Sequence, residues 1–254
     1  MNSHILINTE YLIKSFFISI LYKMLSKLTV KNTIWFSLLV QIITGLVSLH
    51  GLFITLPDKD KVLTDILGLE TIVQFIEMVF YIWIAYAMIN TNIMTSRRYI
   101  DWVITTPTML LSTIMFMKYQ ERKEKEELEE KPVKFWDFIE ENKRDILFMF
   151  LYNFAMLAFG YLGETNVLSK YISTPIGFYF FYKSFHLIYY TFANKSILGK
   201  QLFTFLLSVW SLYGVAAVMP TDIKNISYNL LDIVAKNFYG LYLYYKILQI
   251  SQGN

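Results

Sequence analysis

Apolar residues occur in long stretches along almost the whole chain, and short polar segments separate these stretches. A helix needs about 20 predominantly apolar residues to cross the hydrocarbon core of a bilayer, and seven stretches approach that length. The pattern therefore predicts an all-α membrane protein, built as a seven-transmembrane-helix bundle. The predicted spans are residues 32–56, 65–91, 97–118, 145–163, 167–193, 199–219 and 225–250.

The segments outside the predicted spans differ in character. Residues 1–31 form an N-terminal tail, in which "YLIKSFFISILYKMLSKL" is typical of an amphipathic helix in the membrane interface. The alternative, a signal sequence, lacks a clear small-residue cleavage site. Residues 32–250 form the helical domain, and residues 251–254 form a C-terminal tail. The long charged loop 119–144, which contains Pro132, is expected to be solvated and partly helical.

Composition agrees with a membrane protein. Of 254 residues, 55% are hydrophobic and 18% aromatic, and the mean hydropathy of +0.41 is too high for an ordinary soluble domain. The chain has no cysteine, which excludes disulfides and thiolate metal sites. The histidines His4, His50 and His186 are isolated, so no metal site is expected. The net charge of +3 is small, which makes nucleic acid a poor candidate partner.

The distribution of basic residues predicts the orientation in the membrane. Lysines and arginines concentrate in and next to loop 119–144, and cytoplasmic loops carry such an excess. With seven spans, the N-terminus then lies outside and the C-terminus in the cytoplasm. The N-terminal tail disagrees with this orientation, because it also carries lysines, among them Lys14 and Lys23.

Ionisable residues inside the predicted spans are functional candidates, because charge at bilayer depth is costly. Arg98 is close enough to the start of its span that it could instead lie at the headgroups, whereas Lys236 has apolar neighbours on both sides. Asp232 precedes Lys236 by four residues and shares its helical face. A buried lysine near carboxylates is either a structural ion pair or a Schiff-base lysine that holds a carbonyl cofactor. Both interpretations remain open at this point.

The third span carries a polar face of its own. Arg98, Asp101, Thr105 and Ser112 are separated by three, four and seven residues, so they lie on one side of the helix. We expect this face to point toward the Asp232 and Lys236 face of the last span.

The second span carries a polar stripe. Glu70, Gln74, Glu77 and Tyr81 follow one another at intervals of four, three and four residues. We expect Glu70 to lie at the membrane interface. Glu77 lies deeper, and a buried glutamic acid could either return a proton to an inner site or line a water path.

Two motifs resemble those of the microbial (type 1) rhodopsins. Arg98-Tyr99-x-Asp101-Trp102-x-x-Thr105-Thr106-Pro107 falls on the third span, and Asp232-x-x-x-Lys236 falls on the seventh. The resemblance covers the second to seventh spans, and the lysine-, asparagine- and isoleucine-rich character is most similar to rhodopsins of giant viruses. It implies a bundle that encloses all-trans retinal, bound covalently as a Schiff base on Lys236. Supporting matches are Asn153, Met156 and Gly160 in the fourth span and Trp210 and Tyr213 in the sixth.

The resemblance also implies roles for individual residues. Asp101 would be the primary counter-ion and proton acceptor, Asp232 the second counter-ion, and Arg98 would gate proton release. The retinal pocket would be lined by Trp102, Thr106, Met109, Met156, Gly160, Trp210 and Tyr213.

Four positions add detail to this picture. Thr106 and Asn153 occupy the positions of a hydrogen-bonded pair that links the third and fourth helices. Met109 stands at a colour-tuning position and suggests green rather than blue absorption. Gly214 departs from the family, because many members have proline after the tyrosine of the sixth helix, and this puts the packing at the retinal ring in doubt.

In the resembled family, three positions of the third helix are diagnostic of the type of transport, and here they are Asp101, Thr105 and Ser112. Among the functions of the family, these residues leave proton transport or ion conduction. An aspartate at the first position argues against a chloride pump, and the pattern of sodium pumps is absent. Serine is not an acid, so the proton would return from water or from another carboxyl group. We favour a light-driven outward proton pump and no enzymatic activity. The alternatives are a light-gated cation channel that uses the glutamates of the second span, and a photosensor. The expected partners are protons and the lipid bilayer, and a homo-oligomer is a further candidate.

Overall fold

Long helices make up nearly all of the structure, a computed structural model that describes residues 29–86 and 91–253. No strand occurs within these ranges, and the predicted seven-helix architecture is confirmed. The seventh helix consists of two α-helical parts joined by a π-helical segment, Ile233–Asn237. The helices are α1 (Thr29–Gly51), α2 (Val62–Tyr86), α3 (Thr91–Glu124), α4 (Phe135–Glu164), α5 (Lys170–Thr191), α6 (Ile197–Ala217), α7 (Thr221–Asp232) and α8 (Phe238–Ser251).

The helices extend further than the apolar stretches that predicted them. α3 continues to Glu124 and α4 begins at Phe135, so only residues 125–134 of the charged loop 119–144 connect them. Charged residues remain helical there because they lie beyond the apolar core, where water solvates their side chains. Lys59, in the α1–α2 connection, forms an ion pair of 2.5 Å with Glu129 of the α3–α4 connection. These connections therefore share one end of the bundle, which we call the α3–α4 end. The predicted interfacial helix, at residues 11–28, lies outside the described ranges. Residues 29–31 of the tail belong to α1.

The outer surface is apolar and the interior is partly polar, as expected of a helix bundle in lipid. On α1, Trp35, Leu39 and Ile43 are exposed, whereas Ser37 and Gln41 are completely buried. Within the described residues, α1, α2, α3 and α4 are long and apolar enough to cross a membrane by themselves. Among the remaining helices, α5 contains five tyrosines and α8 contains four. The apolar outer surface and these long apolar helices make the chain an integral, multi-pass membrane protein.

The π-helical segment Ile233–Asn237 places Lys236 in the centre of the bundle. A π-helical turn inserts an extra residue into an α-helix, and such turns occur often at functional sites. Here the next residue, Asn237, is completely buried and accepts a hydrogen bond from the Thr44 hydroxyl of α1. The segment is therefore fixed from the side by a helix that the sequence motifs did not include.

Candidate functional site

Lys236 lies among three carboxyl groups from three different elements. Its Nζ atom is 2.8 Å from Glu77 Oε1, 3.0 Å from Asp101 Oδ2 and 3.8 Å from Asp232 Oδ1. α2 supplies Glu77, α3 supplies Asp101, and Asp232 ends α7 one turn before the lysine. The faces of the third and seventh spans thus meet, and Glu77 of the second span contacts the same lysine.

The charges in this cluster do not cancel when every group is ionised. Among the described residues, Glu77, Asp101 and Asp232 face two cations, Lys236 and Arg98, and all five are at most 4% exposed. An uncompensated charge buried at this depth costs several kcal/mol. We therefore conclude that one of the three carboxyl groups holds a proton. Proton transfer within the cluster then needs no new charge to enter the bundle.

Asp232 is the most firmly held of the three carboxylates. Tyr81 donates to its Oδ2 at 2.7 Å, Tyr213 donates to its Oδ1 at 2.8 Å, and Arg98 Nη1 lies 2.9 Å from Oδ2. The Arg98 guanidinium also donates to Asn229. Hydrogen bonds from neutral donors and a paired cation stabilise the ionised form of a carboxylate. The position of the Asp232 side chain is therefore fixed from α2, α3 and α6.

Asp101 is held much more loosely. Its Oδ2 atom contacts Lys236, but its Oδ1 atom is buried without a hydrogen-bond partner in the part of the chain that the structure describes. Thr105 does not reach the lysine, because its hydroxyl donates to the Asp101 backbone carbonyl at 3.0 Å. Asp101 is consequently the carboxylate next to Lys236 with an oxygen available to accept a proton.

Glu77 is bound from its other side by α1. Gln41 donates a hydrogen bond from Nε2 to Glu77 Oε2, while Glu77 Oε1 contacts Lys236. Sequence reasoning missed Gln41 and Asn229, since neither belongs to the motifs of the third and seventh spans. Their buried polar side chains inside apolar spans were the available signal.

A cavity of about 140 Å³ begins at Lys236 and is almost entirely apolar. Its walls contain every residue that the resemblance assigned to the retinal pocket, namely Trp102, Thr106, Met109, Met156, Gly160, Trp210 and Tyr213. α5 adds a wall that the sequence did not indicate, from Ser173, Thr174, Gly177, Phe178 and Phe181. A primary amine at one end of an apolar cavity, with carboxylates beside it, fits a polyene aldehyde that bonds to the lysine.

Two contacts support the pocket walls. Asn153 Nδ2 of α4 donates to Thr106 Oγ1 of α3 at 2.8 Å, which is the pair that the resemblance implied. Gly214 leaves room for the ring of Phe178, because a Cβ atom at position 214 would lie 2.9 Å from ring carbons of Phe178. The departure from proline at this position is therefore accompanied by an aromatic ring from α5.

Two residues are more deeply buried in the bundle than the sequence suggested. Glu70, expected at the membrane interface, is completely buried and lies within hydrogen-bond distance of the Ser112 hydroxyl of α3. Arg98, for which a headgroup location was an alternative, is also completely buried. α2 begins at Val62 and α3 at Thr91, before the predicted starts at residues 65 and 97, so both residues lie further from the helix starts than the hydropathy windows suggested.

The fold and the cavity define a class of membrane protein, a seven-helix bundle that can carry a carbonyl chromophore on a buried lysine. The chain belongs to the bacteriorhodopsin-like protein family, whose model matches residues 32–250. The resemblance to microbial rhodopsins is thereby confirmed, and membership implies retinal bound to a lysine. No curated protein matches the chain.

Solved structures of this family are similar to the chain over most of its length. The viral rhodopsin OLPVRII is 27% identical, with 87% of this chain and 98% of that chain covered and a TM-score of 0.74. The light-driven proton pump of Coccomyxa subellipsoidea is 18% identical, with 85% and 96% covered and a TM-score of 0.64. Bromide-bound halorhodopsin from Halobacterium salinarum is 12% identical, with 91% and 98% covered and a TM-score of 0.68. The last two similarities show the fold alone.

Proposed function

We propose that the protein is a light-driven outward proton pump that carries all-trans retinal on Lys236. The observation that carries this proposal is the position of Asp101, 3.0 Å from Lys236 Nζ and with one oxygen free of hydrogen bonds in the described structure. When bound, retinal supplies a light-driven isomerisation that changes the direction and the proton affinity of the Lys236 nitrogen.

Asp101 then acts as the proton acceptor. The N–H bond at Lys236 breaks, an O–H bond forms on Asp101, and both groups become neutral. Asp232 does not compete for this proton, because Tyr81, Tyr213 and Arg98 hold it as a carboxylate. Arg98 balances the charge of Asp232 on the side of the cluster away from the α3–α4 end and would control release of the proton there.

The pump is tested by expressing the chain with all-trans retinal in bacterial cells and illuminating an unbuffered suspension. We expect the external medium to acidify, and a protonophore to abolish the acidification. Asp101→Asn should red-shift the absorption and stop the transport, because it removes both the counter-ion and the acceptor. Asp137→Asn, an exposed carboxylate of α4, is the matched control and should pump normally. Acidification by the Asp101→Asn variant would refute the assignment.

A light-gated cation channel is the second candidate, and one feature of the structure favours it. Buried polar residues of α1 and α2 face the seventh helix. Several of their atoms, and one atom of the seventh helix, have no hydrogen-bond partner within the described residues, among them Gln41 Oε1, Ser48 Oγ, both carboxamide atoms of Gln74, and Asn237 Nδ2. Buried polar atoms without protein partners are usually satisfied by water, so a hydrated path could form here.

Electrical recording separates the two candidates. A pump gives a photocurrent that keeps its direction when the cation gradient is reversed, because light supplies the driving force. A channel gives a current that reverses with the gradient. We expect the first result, and a current that reverses near the equilibrium potential of a cation would replace the pump with the channel.

A further inference from the structure

Glu70 is a buried carboxyl group that the proton transfer at Lys236 does not use. It is completely buried on α2, and its Oε2 atom has no hydrogen-bond partner among the described residues. The groups that interact with it there are Ser112 of α3, Tyr239 of α8 and, at longer range, Lys236. With no cation in contact, an ionised carboxylate at this place would be strongly unfavourable.

The hydrogen bonds of Ser112 also favour a proton on Glu70. The Ser112 hydroxyl lies within hydrogen-bond distance of two oxygens, Glu70 Oε1 and the Met109 carbonyl at 2.8 Å. A hydroxyl donates only one proton. If Ser112 donates to the Met109 carbonyl, its contact with Glu70 requires that the glutamic acid donates in turn. A protonated Glu70 therefore satisfies both contacts at once.

The space between Glu70 and Lys236 is polar and has room for water. Glu70 and Glu77 lie on the same face of α2, about 10 Å apart along the helix axis, and Glu77 contacts Lys236. Gln74 lies between them, and neither atom of its carboxamide has a partner in the described structure. Gly240 of α8 keeps this place open, because a Cβ atom there would lie 3.5 Å from Gln74 Cδ and 3.4 Å from Ser48 Oγ.

We propose that Glu70 is the proton donor that restores the proton on the Lys236 nitrogen. The proton passes through water bound by Gln74 and Ser48 in the space beside Gly240. The O–H bond of Glu70 breaks and an N–H bond forms at Lys236. The Glu70 carboxylate then takes up a proton from water at the α3–α4 end. This proposal rests on the pump function. It gives the donor role to Glu70, because the Ser112 hydroxyl is not an acid. Asp101 does not serve as this donor, because in the proposed cycle it is the group that accepts the proton from Lys236.

The first test is Glu70→Gln in the retinal-loaded protein, observed by flash spectroscopy. We expect reprotonation of the Lys236 nitrogen to slow by about a hundredfold and to slow further as the pH rises, because the proton must then come from the bulk. Azide, a small diffusible acid, should restore the rate, which it would not do for a merely structural defect. Asp65→Asn, an exposed carboxylate on the same helix, is the matched control and should leave the rate unchanged. An unchanged rate in Glu70→Gln overturns the proposal.

The second test needs no retinal. The infrared spectrum of the retinal-free protein at neutral pH should contain a C=O stretching band from the protonated Glu70 carboxyl group. Glu70→Gln should remove this band, and Asp65→Asn should keep it. If the Glu70→Gln variant keeps this band, Glu70 does not hold the proton and the proposal is overturned, whatever the rate of Lys236 reprotonation.

These results separate the donor from the pump. In one outcome, the wild-type chain fails to acidify the medium while Glu70→Gln slows reprotonation and loses the band. That result would refute the pump function and support the donor role of Glu70. If the wild-type chain pumps while the variant keeps the normal rate, the pump stands and the donor fails.

Discussion

Glu77 of α2 and Asp101 of α3 bind the same amine, at 2.8 Å and 3.0 Å from Lys236 Nζ. A lysine with one counter-ion can lose its proton in only one direction, whereas here two carboxyl groups contact the nitrogen. What distinguishes them is the rest of their surroundings. Glu77 accepts a second hydrogen bond from Gln41, and Asp101 retains an unpartnered oxygen among the described groups. This difference supports our proposal that Asp101 is the acceptor.

The hydroxyl groups that hold Asp232 should be measurable one at a time. Tyr81→Phe and Tyr213→Phe each remove one donor to this carboxylate. A hydrogen bond to a charged group contributes about 1.5–3 kcal/mol, so thermal unfolding in detergent should occur at a lower temperature in each variant. Tyr171→Phe, at a side chain that is 92% exposed, is the control and should unfold as the wild type does. Equal unfolding temperatures in all four proteins would contradict this account of Asp232.

Gly214→Ala should destabilise the protein, against the usual trend. Replacing glycine by alanine inside a helix normally stabilises it by about 0.5–1 kcal/mol. At position 214 the new Cβ atom would meet the ring of Phe178, which lines the cavity. We expect a lower unfolding temperature and a shifted absorption maximum, and the added Phe178→Leu substitution should reverse both. Gly45→Ala, where a Cβ atom has open space, should follow the usual trend. A stabilised Gly214→Ala variant would refute the contact.

Gly240→Ala should slow the return of the proton without changing the acceptor. A Cβ atom at this position would displace the carboxamide of Gln74, whose surroundings form the proposed water site. We expect slower reprotonation of Lys236 in flash spectroscopy, with normal kinetics of proton transfer to Asp101. Gly45→Ala serves as the control here as well. Equal slowing of both steps would indicate a general distortion instead.

The ion pair at the end of the bundle opposite the α3–α4 end should contribute to stability. Lys224 Nζ lies 2.7 Å from the Glu164 carboxylate, and the side chains are only 2% and 10% exposed. Removing one partner of a buried pair costs about 3–5 kcal/mol. Glu164→Gln should cost more than Lys224→Met, because Lys170, 3.7 Å away, still compensates Glu164 in the second case. Thermal unfolding measures the difference, and equal costs would exclude this role of Lys170.

The proposed orientation can be tested by labelling, because the chain has no cysteine of its own. Single cysteines at Lys125, in the α3–α4 connection, and at the exposed Val167, between α4 and α5, lie at opposite ends of the bundle. With the N-terminus outside, a membrane-impermeant maleimide should label Val167→Cys in intact cells and Lys125→Cys only after permeabilisation. The reverse pattern would invert the proposed topology.

Sequence reasoning located the parts of the site that lie on one helix. The spacing of Arg98, Asp101 and Thr105 fixes their shared face whatever surrounds the helix, and the same is true of Asp232 and Lys236. It could not determine which turn of α2 would lie beside Lys236, since that depends on how the helices shift against each other during packing. For this reason the direct contact between Glu77 and Lys236 was not predicted.

The α5 wall of the cavity was not predictable for a different reason. Helices in lipid are apolar on both faces, so Phe178 and Phe181 carry no periodic signal that distinguishes the cavity side from the lipid side. Glu70 was misplaced because hydropathy windows treat every carboxylate as charged. A glutamic acid that shares a proton with a neighbouring hydroxyl belongs in a helix interior at much lower cost.

α1 forms no part of the cavity wall, yet two of its side chains reach the reacting centre. Gln41 donates to Glu77, and Thr44 donates to Asn237, the residue after the lysine. Any change in the charge of Glu77 alters the strength of its bond to Gln41, and any movement of the π-helical segment pulls on Thr44. In the proposed cycle, we therefore expect α1 to sense both the charge of Glu77 and the position of Lys236, although α1 does not line the cavity.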